Sequence, residues 1–280
     1  MLAGRDLQVM LRGGGMGLDL YSGSIARWSV GDWETASAQA AREMGMSHRT
    51  VRANPLPTDT PQYRQTVRDG WAGWREWLIP QLGGAGPDWT DTDSTPFVTR
   101  QCPYDCYFAL ISWAGRLVHP APPPPWPIPS DYDDPSVATA LEGGDALQQD
   151  LRCAWWFPGS FNGVFQAPTP FSDEPVWIGS TASLIEKLRV ANDASWKMSD
   201  AEISSWADGG PPELDEVVYE PTVKRSFFGL TKRKDLKPVP QSPPADGLTG
   251  YERAARYALA ALLQTALEAE RNNTPLLLDT

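Results

Sequence analysis

The chain is poor in the side chains that most often carry chemistry: its 280 residues hold 2 histidines and 3 cysteines. An odd number of cysteines at irregular spacing gives no disulfide framework, so a reducing, cytosolic compartment is expected. His48 and His119 are far apart, and each borders an expected element. A Ser–His–Asp or Cys–His device therefore requires the fold to bring distant residues together. No G-x-S-x-G elbow gives a hydrolase local support, and both histidines read as ordinary cap or surface residues. Long apolar runs are missing too. No N-terminal stretch has the apolar core of a secretion signal, and nothing approaches the ~20 apolar residues of a membrane span. Positive charge is in deficit: 24 Lys and Arg against 35 Asp and Glu give a formal charge of −11. That balance speaks against a nucleic-acid or anionic-membrane partner, which needs a basic face. One basic run, Lys224, Arg225, Lys232, Arg233, Lys234 and Lys237, is short and reads as a solvated hairpin.

What is plentiful is apolar and aromatic. Hydrophobic residues make up 41% of the chain, and 13 are tryptophans. Such a chain can bury a sizeable core. A buried indole brings much apolar area but asks for a partner for its N–H, so most rings are expected inside and some along a groove.

The stretch from Met16 to Gly45 sets the pattern. Leu18, Leu20 and Ser22 alternate with Asp19 and Tyr21, the period of a half-buried strand. Gly23 and Ser24 allow a turn. Asp32 is placed to cap a following helix, and Glu34 adds a second charge near its positive end. Trp33, Ala36, Ala40, Ala41 and Met44 form the apolar face, and Gly45 is the stop. This opening, through Met16, Gly17, Leu18, Asp19, Leu20, Tyr21, Gly23, Arg27, Gly31, Asp32, Trp33, Glu34 and Thr35, resembles that of an uncharacterised bacterial protein family that begins MG-(L/I)-DLY-x-G and continues to GDWET. Weaker likeness extends to Trp71–Leu78, to YDCYFALISWAGRLVHP and to the terminal PLLLD. The resemblance implies Met16 as the usual start, with residues 1–15 a loose extension. It implies no activity.

Further along, Arg49–Ala53 reads as a short strand. Thr60 with Pro61 at the first helical position opens a helix carrying Tyr63, Val67, Trp71, Trp74 and Leu78 on one face, ended by Pro80. Residues 83–95 read as loop. Cys102–Leu117 reads as one buried helix, and Ala121–Pro129 (APPPPWPIP) as extended, polyproline-like connector. Asp131–Gln149 reads as a short helix and loop, and Arg152–Ala167 as a hairpin around Pro158–Gly163. A strand at Val176–Ile178 and a helix from Ser180 follow. Ser199 and Glu202 have capping-box spacing, as do Thr249 and Glu252. Glu216–Glu220 and Val223–Phe228 read as strands broken at Pro221, and Lys237–Pro244 as a proline-rich linker. The helix behind Thr249 carries the longest apolar stripe, from Tyr251 to Leu267, and Leu276–Leu278 returns as a last strand. Single strands mixed with helices, without regular βαβ alternation, predict an α+β fold: a modest, mostly antiparallel sheet with packed helices in one domain over 16–280, with proline-rich connectors at 120–130 and 237–246.

Candidate chemistry is thin. Cys102 and Cys106, at i and i+4, could join Cys153 and His119 around zinc, but structural zinc sites favour tighter knuckles, and small buried thiols are the preferred reading. Gly13, Gly14, Gly15 and Gly17 precede the first strand, with no GK[ST], which rejects a phosphate loop. No motif calls for a cofactor or a metal. Asp19, Asp32, Glu34 and Asp105 are the candidate acids of a hydrolase or sugar-acting enzyme, which needs paired carboxylates in a Trp-lined cleft. Capping is the preferred role for Asp32 and Glu34. Tyr21, Arg27, Trp28 and Trp33 have the composition of a protein-contact site, and an Arg closing on the protein's own rings is an equal alternative. The favoured function is a non-enzymatic cytosolic interaction protein, for example an immunity-like protein that neutralises a basic protein partner; the enzyme is the alternative.

Overall fold

Side-chain alternation in the strands decides the architecture, because adjacent residues of one strand enter different cores. The computed structural model describes residues 17–47, 58–118, 146–159, 161, 163–212, 219–225, 232–238 and 248–279. In chain order the elements are β1 (Gly17–Ser22), α1 (Ile25–Val30), α2 (Ala36–Glu43), α3 (Pro61–Gln81), β2 (Val98–Pro103), α4 (Tyr104–Val118), α5 (Ala146–Leu151), β3 (Trp155–Phe157), β4 (Phe165–Thr169), β5 (Ser172–Ser180), α6 (Thr181–Ser195), α7 (Asp200–Asp208), β6 (Tyr219–Arg225), β7 (Lys232–Pro238), α8 (Gly250–Asn272) and β8 (Leu276–Asp279). Six strands form one sheet in the order β2-β1-β8-β3-β5-β4, and β6 with β7 forms a separate pair. Every neighbouring pair is antiparallel except β3 with β5. The fold is α+β, as expected from the sequence.

Leu18 and Leu20 of β1, Trp156 of β3 and Leu276 of β8 enter a largely aliphatic core with α4, α6 and α8. Phe157 and Ile178, one residue out of phase, enter a second core with α1 and α3. Tyr21 and Leu277 join Trp33 in a third, small cluster. The sheet is therefore covered on both faces where the strands are central, which explains unbroken apolar runs such as Leu276–Leu278. β1 is buried from Leu18 to Ser22 except for the partly buried Asp19.

Helix ends follow their caps. The side chains of Thr60, Ser180, Ser199 and Thr249 each accept a backbone N–H of the first turn. Ser199 and Glu202 complete the capping box. The Glu252 carboxylate accepts from Trp196 Nε1 at 3.0 Å and from Arg256 at 2.8 Å, tying α8 to α6.

Several expectations are corrected. Cys102–Leu117 is not one helix: β2 runs through Cys102, opposite Leu18, and the helix begins at Tyr104. β3 and β4 do not form the expected hairpin, because the longer β5 lies between them and pairs with both. Pro80 lies inside α3, which ends at Gln81, just ahead of the Gly83–Gly86 run expected with Pro80 to stop it. Pro221 does not break β6, which runs through it as an edge strand tolerates. Residues 1–15, Arg49–Ala53, His48, His119 and the 120–130 connector lie outside the described residues, as does most of the 237–246 segment. Among the described residues no helix is long and apolar enough to cross a membrane.

Candidate functional site

The opening unit packs around its own charges. After β1, Ser24 caps the short helix α1, which Gly31 ends in the left-handed region at φ 70°. Asp91, from the loop before β2, accepts from the Ser24 hydroxyl and from the Ala26 N–H at 3.3 Å. Burial raises its carboxyl above the ordinary value. Asp32 is not a helix cap, because α1 intervenes and α2 starts later, with Thr35 accepting from the Ala38 N–H. Asp32 instead receives Arg27 Nε at 3.1 Å and Arg64 at 3.0 Å. Arg64 also reaches Asp59 at 2.7 Å and Asp93 at 3.5 Å, so one guanidinium ties α3 to two loops. Hydrogen bonds from Arg64 and Arg68 hold Asp59 and Asp93, respectively, below the usual carboxylate range. Glu34 pairs with Arg42 at 3.2 Å, and Asp19 Oδ1 accepts the Ala36 N–H at 3.2 Å. The expected apolar face of α2 is also revised: Ala41 is buried, whereas Ala40 and Met44 are exposed.

The four residues expected at a contact site are drawn inward. Tyr21 is 0% exposed, its hydroxyl donating to the Ser24 carbonyl at 2.9 Å, and burial raises its phenol. Trp33 is buried, with its ring 5.2 Å from that of Tyr21. Trp28 meets Trp155 edge-on at 5.7 Å. The Arg27 guanidinium lies over Phe97 at 4.7 Å, so it closes on the protein's own ring, and that ring is a phenylalanine. Asp105, in the first turn of α4, is half-buried, and burial raises its carboxyl. Two surface hollows, one between α6 and α8 and one between α3 and the β4–β5 turn, have none of Asp19, Asp32, Glu34 or Asp105 in their walls.

Cys102, Cys106 and Cys153 are free and buried. Burial pushes the Cys106 thiol up to about 12 and raises the other two. Cys102 and Cys106 do not share a helical face, since one is in β2. Among the described residues no group of three or more His, Cys, Asp or Glu converges as a metal site. The fully buried Asp150 receives Lys187, which ties α5 to α6.

A different place carries the solvent-facing rings. Trp77 on α3 is 49% exposed and Phe171, in the β4–β5 turn, 51%. A hollow of ≈ 360 Å³ between α3 and the β4–β5 turn is lined by Gly70, Trp74, Trp77, Pro168, Thr169 and Pro170. Its wall is fixed from within: Trp74 Nε1 donates to the Pro168 carbonyl at 2.8 Å. Trp177 is 40% exposed but alternates with Val176 and Ile178, so it points to the other face of the hairpin. Asp69 and Glu76 on α3, and Asp173 and Glu174 next to Phe171 in the chain, are exposed, though none of them lines the hollow. The sequence carried one signal for this site: Trp77 falls out of phase with the Val67–Trp71–Trp74–Leu78 stripe, placing a large ring on the polar side of an amphipathic helix.

Comparison with protein-family models, curated protein sequences and solved structures gives no match to this chain.

Proposed function

We propose that this protein works by contact with a basic protein partner, through the face formed by α3 and the β4–β5 turn. The supporting observation is the pair of exposed rings, Trp77 in the wall of the hollow and Phe171 next to its Pro170, on a helix and a turn that also carry the exposed Asp69, Glu76, Asp173 and Glu174. Exposed aromatics in a polar rim are the composition of contact sites. The net charge of −11 favours cationic partners at long range. An immunity-like role, in which the partner is a basic protein held inactive, is one form of this reading. The cytosol suits it, because three free cysteines persist in a reducing compartment. No observation favours the hydrolase alternative: Asp19 is bonded to a backbone N–H, and Asp32 and Glu34 are held by arginines.

Titration with a deca-arginine peptide tests the reading. The paired substitution Trp77→Ser with Phe171→Ser leaves the charge unchanged and is expected to weaken binding about tenfold, the loss of ~1.4 kcal/mol of apolar contact. Equal binding by both proteins, which leaves only diffuse attraction between opposite charges, overturns it.

A further inference from the structure

We propose that the α3 side of this face is a seat for an arginine side chain, carried on an extended, proline-bearing segment of the partner; the proposal rests on the contact reading above. Two glycines, Gly70 and Gly73, lie in the middle of α3, where glycine is costly because it has the most backbone freedom to lose. Gly70 has a reason inside the chain. A Cβ there would stand 2.8 Å from Cζ of Phe171, so the missing side chain makes room for that ring. Gly73 has none: a Cβ there would meet nothing within 4 Å, and the residue is exposed.

Helical spacing shows what surrounds the bare backbone at Gly73. Asp69 and Trp77 lie four residues before and after it, and Gly70 and Glu76 three before and after. These are its nearest neighbours on the helix surface. The position is therefore a notch with an exposed indole at one end and carboxylates along its side. Asp69 accepts from Gln65 Nε2 at 2.7 Å through one oxygen, and no ion pair to Asp69 or Glu76 is found among the described residues. A guanidinium fits this setting. It is planar, it stacks on an indole, and its fork of donors suits carboxylates. A lysine ammonium is compact and strongly hydrated and uses less of the flat surface.

The hollow next to this notch takes Gly70, Trp74 and Trp77 from α3, without Gly73, and its far wall sets the kind of backbone. β4 is the sheet edge, yet Pro168 has no N–H to offer and its carbonyl already accepts from Trp74. A partner strand cannot add there by backbone pairing. The rings of Trp77, Pro168 and Pro170 instead offer apolar surface, which suits the ring faces of an extended polyproline-II segment.

The test titrates the full chain with four short peptides: Ac-PPRPP-NH2, its lysine and citrulline counterparts, and the uncharged Ac-APPPPWPIP-NH2 that copies this chain's own proline run. The arginine peptide is expected to bind about tenfold more tightly than the citrulline or uncharged peptide, and about fivefold more tightly than the lysine one. Gly73→Ala is expected to weaken arginine-peptide binding about fivefold while the melting temperature holds or rises, a split that a structural role for Gly73 does not produce. Trp77→Phe retains part of the affinity, and Trp77→Ala loses it. Equal binding of the arginine and citrulline peptides, or full binding by Gly73→Ala, overturns the arginine seat. If the Trp77→Ser, Phe171→Ser pair still loses deca-arginine in that case, the contact face stands and only the seat falls; if it does not, both fall.

Discussion

The two main cores of this protein solve the same burial problem with different side chains. Along most of α8 the core is aliphatic: Ala254, Ala258, Leu259, Leu262 and Ala266 are fully buried and carry no polar atom that asks for a partner, while Trp113, Trp196 and Tyr251 gather near the start of the helix. Around α3 it is aromatic. The Trp71 ring lies 5.2 Å from Trp74, 4.9 Å from Trp155 and 5.9 Å from Phe157. Large rings fill space less evenly than aliphatic groups, and each indole brings an N–H into the interior. Trp74 places its N–H on Pro168, whereas Trp71 Nε1 is buried with no partner among the described residues. Both sides reach the surface, but with different groups: Val190 stands exposed beside the hollow between α6 and α8, whereas on the aromatic side Trp77 and Phe171 remain half-exposed. The difference teaches where to look for a contact site: where large rings, which bring the most area to an interface, are left facing solvent.

The largest expected contrast is in thiol reactivity, since all three cysteines belong to the aliphatic core. Burial raises Cys106 from an ordinary value of 9.0 to about 12, so at pH 8 it stays protonated in the folded protein. Ionisation favours the unfolded chain; the thiol's contribution to stability is complete below pH 9.0 and is lost as pH rises through about 12. Iodoacetamide labelling at pH 8 is expected to run roughly a thousandfold slower than in denaturant, matching the rarity of global opening. Rapid native labelling means that the aliphatic core opens locally and is not the tighter of the two. Next in size are truncations. Trp71→Ala is expected to cost about 4 kcal/mol and Leu259→Ala about 3 kcal/mol in chemical denaturation. A Trp71→Ala cost near that of a surface substitution would show the aromatic side to be a lining and not a core. Below these comes Thr249→Ala, which removes the cap of α8 and is expected to cost about 1 kcal/mol.

The aliphatic side was legible in the sequence and the aromatic side much less so. The α8 stripe, its Thr249 cap and the returning strand at Leu276 all followed from period and cap chemistry, as did the α3 face from Val67 to Leu78. β2 was missed because Thr99, Arg100 and Gln101 stand between Val98 and Cys102, so the strand shows no apolar alternation, and Cys102 reads as the start of the apolar stretch that follows it. The β3–β5 pairing was missed because it is parallel and non-local, while glycines near Pro158 gave a local turn signal that points to a hairpin. Asp32 was misread because Ser24 and Gly31 bound an extra six-residue helix, and Asp91, which bonds its first turn, lies 65 residues away. Tyr21, Arg27, Trp28 and Trp33 drew attention by composition, yet composition does not say which face of a strand or turn a ring occupies. The hollow depends on a contact between α3 and Pro168, 94 residues after Trp74. Only the phase of Trp77 hinted at it.

The smallest effect separates the two sides most sharply, because it compares glycines three positions apart on one helix. Gly70→Ala gains helix propensity but drives a methyl toward Phe171, 2.8 Å away, so ring or helix must shift. Gly73→Ala gains the same propensity with open space around it. The expected outcome in paired urea melts is that Gly73→Ala stabilises by about 0.5–1 kcal/mol and Gly70→Ala destabilises by about 1 kcal/mol. The sign carries the argument. Equal stabilisation by both would mean that Phe171 does not rest on α3, and the β4–β5 turn would no longer form a wall of the hollow. Destabilisation by Gly73→Ala would mean that some other part of this chain already occupies the notch, leaving no room there for a partner. Opposite signs leave Gly73 as a position where the free chain gives up stability for no internal contact, which is the condition a surface kept open for another molecule must meet.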